Sequence, residues 1–410
     1  MKKIVLVDDD PDMLNLMSDV LSPPYDVVSA PDGQQGLDMI RKETPDLVVL
    51  DLLMPRMHGF EVCKRIREDA RLKNVKVMIS SSKSYPHDIK VATGAGADFY
   101  IVKPFEIAAF RNKVDELLGV EDASAVALKF WGTRGSIPSP GPKTARYGGN
   151  TPCTELRVGH NRFIIDAGTG LRELGNQMMS ESLGKPQNAH ILIGHTHWDH
   201  IQGLPFFTPM YLPQNKFTLY GVHGTTKSFE DVLRGQMNPT YFPVEMKEMA
   251  ARTEVNELSG ELKIGDVKIT YHYLNHPGIT VGFRFETRRG VICYISDHEP
   301  YGKLNNKGQF SAKEDGDVAR FVQGADLLIS EAQYTEEEYR HKKSWGHSTF
   351  TDVIGLATLA EVKQLAIFHH DPAHTDEMMD RFVAECRGHI ERGGHQITVF
   401  GAQEGQTITL

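Results

Sequence analysis

Cysteine is scarce in this chain of 410 residues. Cys63, Cys153, Cys293 and Cys386 stand far apart and no two form a CxxC pair. That spacing argues against a disulfide framework and against a thiolate zinc site, and the four read as reduced and mostly buried. Long apolar runs are missing as well: none approaches the roughly 20 residues that span a bilayer. The opening MKKIVLV is too short for a secretory signal, so a cytoplasmic protein without a membrane partner is expected. Positive charge is not in surplus. Residues 1–119 carry 16 Lys and Arg against 19 Asp and Glu, and residues 128–410 carry 29 against 33. A dedicated nucleic-acid binder would show a basic excess, and residues 128–410 show neither that nor a recognition-helix pattern, so DNA is not an expected partner.

What remains is an ordinary globular composition, 40% hydrophobic and 24% charged, in a chain too long for a single core. Residues 1–118 alternate strand-like runs with amphipathic ones: KIVLV, PDMLNLMSDVL; DVVSA, GQQGLDMIRK; DLVVLDLL, FEVCKRIRED; KVMIS, DIKVATGA; FYIVK, EIAAFRNKVDELLG. Five such units predict an α/β fold, a doubly wound parallel sheet with helices on both faces. The small, acidic stretch GVEDASAVA then reads as a linker. From Leu128 the texture changes to short strands, many glycines and long loops. The expected domains are 1–119, a linker at 120–127, and 128–410.

Chemistry-bearing residues gather at the strand ends of the first domain. Asp8 and Asp9 follow the first strand, Asp51 closes the third, and Ser81 and Lys103 close the fourth and fifth. In a doubly wound sheet these ends converge. Aspartates often cap helices that follow strands, but five chemistry-bearing residues at four of the five strand ends suggest more. Converging carboxylates repel unless a cation such as Mg²⁺ sits among them, and a lysine and a hydroxyl suit a phosphoryl group. The segments VLVDDDPD, DLLMPRMHG and GADFYIVKPF resemble the receiver domain of two-component response regulators. The resemblance implies that Asp51 accepts the phosphoryl group, that Asp8 and Asp9 hold Mg²⁺, and that Lys103 pairs with the phosphate. Ser81 and Tyr100 match the family's switch pair. A sensor histidine kinase or phosphotransfer protein is the implied partner, and a homodimer is allowed. His58 departs from the family's usual aspartate.

The second cluster is denser. ILIGHTHWDHIQG places His195, His197, Asp199 and His200 within six positions after an apolar strand. Two imidazoles can hold one metal there while the carboxylate and third imidazole hold another. Further candidates end strands elsewhere: Asp166 in FIIDAG, His276 in KITYHYLNH, Asp297 in VICYISD and His369 in LAIFHH. Imidazole and carboxylate donors without thiolate fit two divalent ions, Zn²⁺ before Mn²⁺ or Fe. HTHWDH resembles the HxHxDH signature of the metallo-β-lactamase superfamily, which implies an αββα sandwich over 128–410. By that resemblance His195, His197 and His276 bind one metal, Asp199, His200 and His369 the other, and Asp297 bridges. Asp166 matches an aspartate that orients the HTHWDH loop. Between His369 and His370, strand matching favours His369.

The ligands alone do not choose a substrate. KFWGTRGSIPSPG, HPGITVGFRFE and GHST resemble the ribonuclease Z and cyclic-phosphodiesterase branch, which implies that His347 protonates the leaving oxygen and that Asp199 orients a metal-bound hydroxide. The expected function is a response regulator whose phosphorylation on Asp51 controls a dinuclear hydrolase of a small phosphodiester, a cyclic nucleotide or cyclic phosphate. The rivals are a thioesterase or lactonase, and a non-catalytic metal or redox sensor. Segment 205–256, rich in aromatics and Met, reads either as a lid or wall over the metals or as core. Arg134, Arg146, Tyr147 and Asn150 favour a structural role over a phosphate contact, and Glu331 and His374 have no assigned role.

Overall fold

The structure, a computed structural model, describes residues 2–83, 86–119, 125–182, 184–305 and 308–410. The chain divides into two units, an N-terminal one of residues 1–122 with 179–185 and a C-terminal one of residues 123–178 with 186–410. Most of the expected linker, residues 120–124, lies outside the described residues.

In the N-terminal unit, strands β1 (Lys3–Val7), β2 (Asp26–Ala30), β3 (Leu47–Asp51), β4 (Lys76–Ser81) and β5 (Phe99–Val102) form a parallel sheet in the order β2-β1-β3-β4-β5. Its strands are almost uniformly apolar because helices cover both faces. Ile4 and Leu6 pack with Met17, Leu21, Phe110 and Val114 of the helices Pro11–Leu21 and Ile107–Leu118. Val5 and Val7 face the other way, onto Leu37, Ile40, Val62 and Ile66 of Gly33–Glu43 and Gly59–Glu68. Local chemistry starts these helices where the pattern requires. The Asp10 side chain accepts from the amides of Asp12 and Met13, with Pro11 in the first turn, and Asp32 does the same for Gln34 and Gln35. The strand order reverses between β1 and β3, which opens a crevice at their carboxyl ends.

The C-terminal unit holds two seven-stranded sheets. The first comprises β6 (Val126–Gly132), β7 (Cys153–Val158), β8 (Asn161–Ile165), β9 (Asn188–Leu192), β10 (Lys216–Gly221) and β11 (Arg252–Glu257). The second comprises β12 (Leu262–Ile264), β13 (Val267–Leu274), β14 (Thr280–Glu286), β15 (Val291–Ile295), β16 (Leu327–Glu331), β17 (Gln364–Phe368) and β18 (Thr398–Gly401) in sequence order. The last strand, β19 (Thr407–Thr409), returns to pair with β6 and completes the first sheet. Between the sheets, Phe130, Phe163, Ile165 and Leu192 meet Phe283, Tyr294, Ile329 and Phe368. Outside the first sheet, Ile164, Ile191 and Phe217 pack on Leu171 and Leu174 of the helix Gly170–Ser182 and on Leu233 of Phe229–Gln236. Outside the second, Cys293, Leu328 and Ile367 pack on Val318, Val353 and Val383 of three further helices. The result is an αββα sandwich.

One expectation needs correction. Val126 and Ala127, counted in the linker, belong to β6, where burial alternates residue by residue from Val126 onward. Of the two readings of segment 205–256, core packing accounts for Phe207, Met210, Met237, Met246 and Met249, which sit in the cluster outside the first sheet. Its aromatic and Met content serves that packing, and Phe206 and Tyr241 are its exposed large apolar side chains.

Candidate metal centres

In the N-terminal unit, the strand-end residues meet as the sheet topology dictates. Lys103 Nζ lies 2.6 Å from Asp8 Oδ2 and 3.1 Å from Asp51 Oδ1. Gly59 lets the next helix start against the end of β3, since a Cβ there would lie 2.2 Å from the Asp51 carbonyl oxygen. Asp8 and Asp51 are buried whereas Asp9 is exposed. Burial raises the Asp8 carboxyl above its usual range although Lys103 opposes it. Ser81 is fully buried, and the Tyr100 ring is buried with its hydroxyl donating to the Lys83 carbonyl at 2.8 Å.

In the C-terminal unit, the candidate ligands come from one end of both sheets. His195, His197, Asp199 and His200 follow β9; His276, Asp297 and His369 follow β13, β15 and β17. They fall into two groups whose donor atoms lie within 4.8 Å of one another: His195, His197, His276 and Asp297, and then Asp199, His200, Asp297 and His369. Asp297 belongs to both. Its Oδ2 stands 3.4 Å from His195 Nε2 and 3.6 Å from His276 Nε2, and its Oδ1 stands 3.2 Å from His369 Nε2 and 3.5 Å from His200 Nε2.

Supporting contacts aim these donors. Asp166, in the left-handed region at φ 61°, accepts from the Gly194 amide, from the Tyr294 hydroxyl at 2.6 Å and from His200 Nδ1 at 2.8 Å. The His200 Nε2 lone pair therefore points at the cluster. His276 Nδ1 donates to the Gly346 carbonyl at 2.8 Å and frees its Nε2 in the same way. The Ser136 amide holds Asp199 Oδ2 at 2.8 Å. Glu299, buried, accepts from the amides of Ser344 and Gly346, each at 3.0 Å, and from the Tyr339 hydroxyl, so it pins the turn that carries the Gly346 carbonyl.

The donor set fits divalent metal ions. His195 Nε2 and Asp297 Oδ1 are buried with no hydrogen-bond partner among the described residues. Imidazole nitrogens converge at 3.0 Å (His276 with His197) and 3.3 Å (His200 with His369). Tetrahedral Zn–N bonds of about 2.0–2.1 Å give ligand edges of about 3.3 Å. Electrostatics point the same way. Burial, reinforced by His200, pushes the His195 imidazole well below its usual range. Burial opposes ionisation of Asp297, but His369, His200 and His195 outweigh it and hold the carboxyl well below its usual range. Against burial, Asp199, Asp166 and Asp297 push His200 well above its usual range, a surplus of negative charge that a cation would satisfy.

His347 stands at the edge of the second group, its ring stacked on His369 with centroids 5.3 Å apart. Its Nδ1 lies 3.7 Å from Glu331 Oε2, and Glu331 Oε1 accepts the Ser348 amide at 2.6 Å. Burial, then the Asp297 charge, raises the Glu331 carboxyl well above its usual range, and burial lowers the His347 imidazole to about 3. Glu331 thus has a neighbour in the site, which its place in the apolar run LLISEAQY does not disclose. The remaining candidates lie elsewhere. His370 points away, its Nε2 2.9 Å from the Ala402 carbonyl, and His374 pairs with Glu338. Arg134 is fully buried on the carbonyls of Gly148, Asp371 and His374; Arg146 and Tyr147 engage Asp380, and Asn150 engages Glu404.

Comparison with known proteins agrees with both halves. A family model described as a response regulator receiver domain matches residues 4–115, and one described as a beta-lactamase superfamily domain matches residues 161–370. Among curated relatives, the DNA-binding dual master transcriptional regulator RpaA of Synechocystis is 34% identical over 145 residues, 35% of this chain and 58% of that protein. The DNA-binding response regulator MtrA of Mycolicibacterium smegmatis is 32% identical over 157 residues, 38% of this chain and 67% of that one. The match thus spans little more than half the length of RpaA. Among solved structures, the metallo-beta-lactamase fold protein YhfI of Bacillus subtilis aligns with a TM-score of 0.51 at 15% identity, covering 70% of this chain and all of that one, a likeness of fold. The chain belongs to the beta-lactamase superfamily and carries a response regulator receiver domain ahead of its metallo-β-lactamase fold.

Proposed function

We propose that the C-terminal domain is a dinuclear metal-dependent phosphodiesterase acting on a cyclic nucleotide or cyclic phosphate, and that phosphorylation of Asp51 by a histidine kinase or phosphotransfer protein controls it. The observation that carries this reading is the His347–Glu331 pair beside His369. In the proposed arrangement His195, His197 and His276 hold one ion, Asp199, His200 and His369 the other, and Asp297 both. When bound, two such ions would activate a water and neutralise the phosphoryl oxygens. Asp199, fixed by the Ser136 amide, orients the attacking water. His347 delivers a proton to the leaving oxygen of the diester, and Glu331, whose Oε2 lies 3.7 Å from His347 Nδ1, replenishes it once the two close to hydrogen-bond distance. Asp8, Asp51 and Lys103 supply the acceptor carboxylate, a Mg²⁺ site with Asp9, and a cation for the phosphoryl group.

The test is hydrolysis of an aryl phosphodiester and of 2′,3′- and 3′,5′-cyclic nucleotides by Zn- or Mn-loaded protein, with a thioester and a lactone alongside. His197→Ala serves as the blank, and each assay runs with and without a phosphoryl mimic on Asp51. Diester turnover lost in the blank supports the reading, and a rate change with the mimic supports control. Turnover confined to the thioester or lactone, or none with metals bound, overturns it.

A further inference from the structure

We infer that Trp198 and Trp345 form a stacking platform at the mouth of the metal cluster, one that takes a nucleobase and so makes the substrate a nucleoside phosphodiester. The inference rests on the phosphodiesterase reading above and adds what that reading lacks, a feature that grips the part of the substrate away from phosphorus.

Trp198 sits directly between two candidate ligands, His197 and Asp199. Asp199, His200 and Ile201 turn inward, but the indole is 80% exposed. Trp345 directly precedes Gly346 and is 60% exposed. The exposure of Trp345 is not that of a loose loop, since Glu299 clamps the amides on either side of it. The His276 imidazole spans the gap between the two indole-bearing segments. Its Nδ1 meets the Gly346 carbonyl at 2.8 Å and its Nε2 meets His197 Nδ1 at 3.0 Å. Each indole therefore stems from a residue next to one end of the same ring. His197 itself is exposed, so the cluster opens to solvent on this side. The third tryptophan shows the contrast: Trp131 donates to Glu155 at 3.1 Å and carries Lys129 4.1 Å over its ring.

Single exposed apolar residues need no explanation. Two indoles on fixed backbone, on either side of one candidate ligand, are a different case. A diester whose phosphate sits on the cluster projects its substituents over this rim. Indole faces stack on planar π systems, which nucleobases supply and a sugar or alkyl group does not. Because every base has such a face, the platform selects for a base without reading which one.

Two measurements on the full-length, metal-loaded protein test this. The first is tryptophan emission titrated with AMP and with ribose 5-phosphate. The second is KM for 2′,3′-cyclic AMP against KM for glycerol 1,2-cyclic phosphate, in the parent, Trp198→Ala and Trp345→Ala. AMP alone should quench, each variant should lose part of that quench, and KM for the nucleotide should rise at least fivefold with KM for the glycerol ester unchanged. Equal quenching by ribose 5-phosphate, or equal KM changes for both esters, overturns the platform while leaving the phosphodiesterase reading intact. Tryptophan-dependent quenching by AMP without turnover of any diester keeps the platform and overturns that reading.

Discussion

At the scale of single residues, the proposed chemistry rests on His347 and Glu331. His347→Ala should lower kcat for a phosphodiester by about 10²- to 10⁴-fold with bound metal unchanged, measured by steady-state kinetics beside metal analysis. Glu331→Gln keeps the amide contacts but removes the titratable carboxyl beside His347, so it should lower kcat and shift the pH profile. His298 and His370 make a different prediction, about stability. Both are buried, and burial lowers each imidazole to about 3. The unfolded chain binds their protons near the ordinary imidazole range, whereas the folded chain does not until about pH 3. Stability is therefore full above about pH 6.5 and drains as pH falls toward 3, by about 1.4 kcal/mol per pH unit for each group. Urea unfolding of His370→Gln across pH 4–7 should show a shallower slope than the parent, and an identical slope would refute the assignment.

At the scale of elements, the strand ends carry both sites, and they were the most legible part of the sequence. The apolar runs that stop at Asp51, Asp166 and His369 mark where β3 and β8 end and where β17 gives way to the cluster. HTHWDH marks its four candidate ligands by their spacing. What stayed hidden depends on contacts between distant segments. Glu331 looks like one polar residue in an apolar strand until the turn of Ser348 closes on it, and Glu299 shows nothing of its hold on Ser344 and Gly346. The start of β6 was missed because Val126 and Ala127 follow a run of small and acidic residues, and one Val-Ala pair carries no readable alternation. Gly346 gives the test at this scale. At φ 88°, a Cβ there would lie 2.2 Å from His276 Nδ1. Gly346→Ala should displace the imidazole and weaken metal binding about 10- to 100-fold, read by competition with a chelating dye.

At the scale of the molecule, each unit should answer to its own ion. With Mg²⁺ in excess, stripping transition metal with a chelator should lower the melting temperature of the C-terminal domain and leave the receiver transition in place, seen by calorimetry. A small-molecule phosphodonor should phosphorylate the parent and not Asp51→Asn, read by intact mass. The sandwich itself has a consequence in time. Its candidate ligands come from both sheets, with the first donors after β9 and His369 only after β17, and the first sheet is closed by β19, which follows β18. On the ribosome, a growing polypeptide has the HTHWDH loop long before it has the other half of the cage. Tight metal capture by the proposed ligands would therefore wait for the segment after β17, and a product terminated before His369 would emerge unarmed.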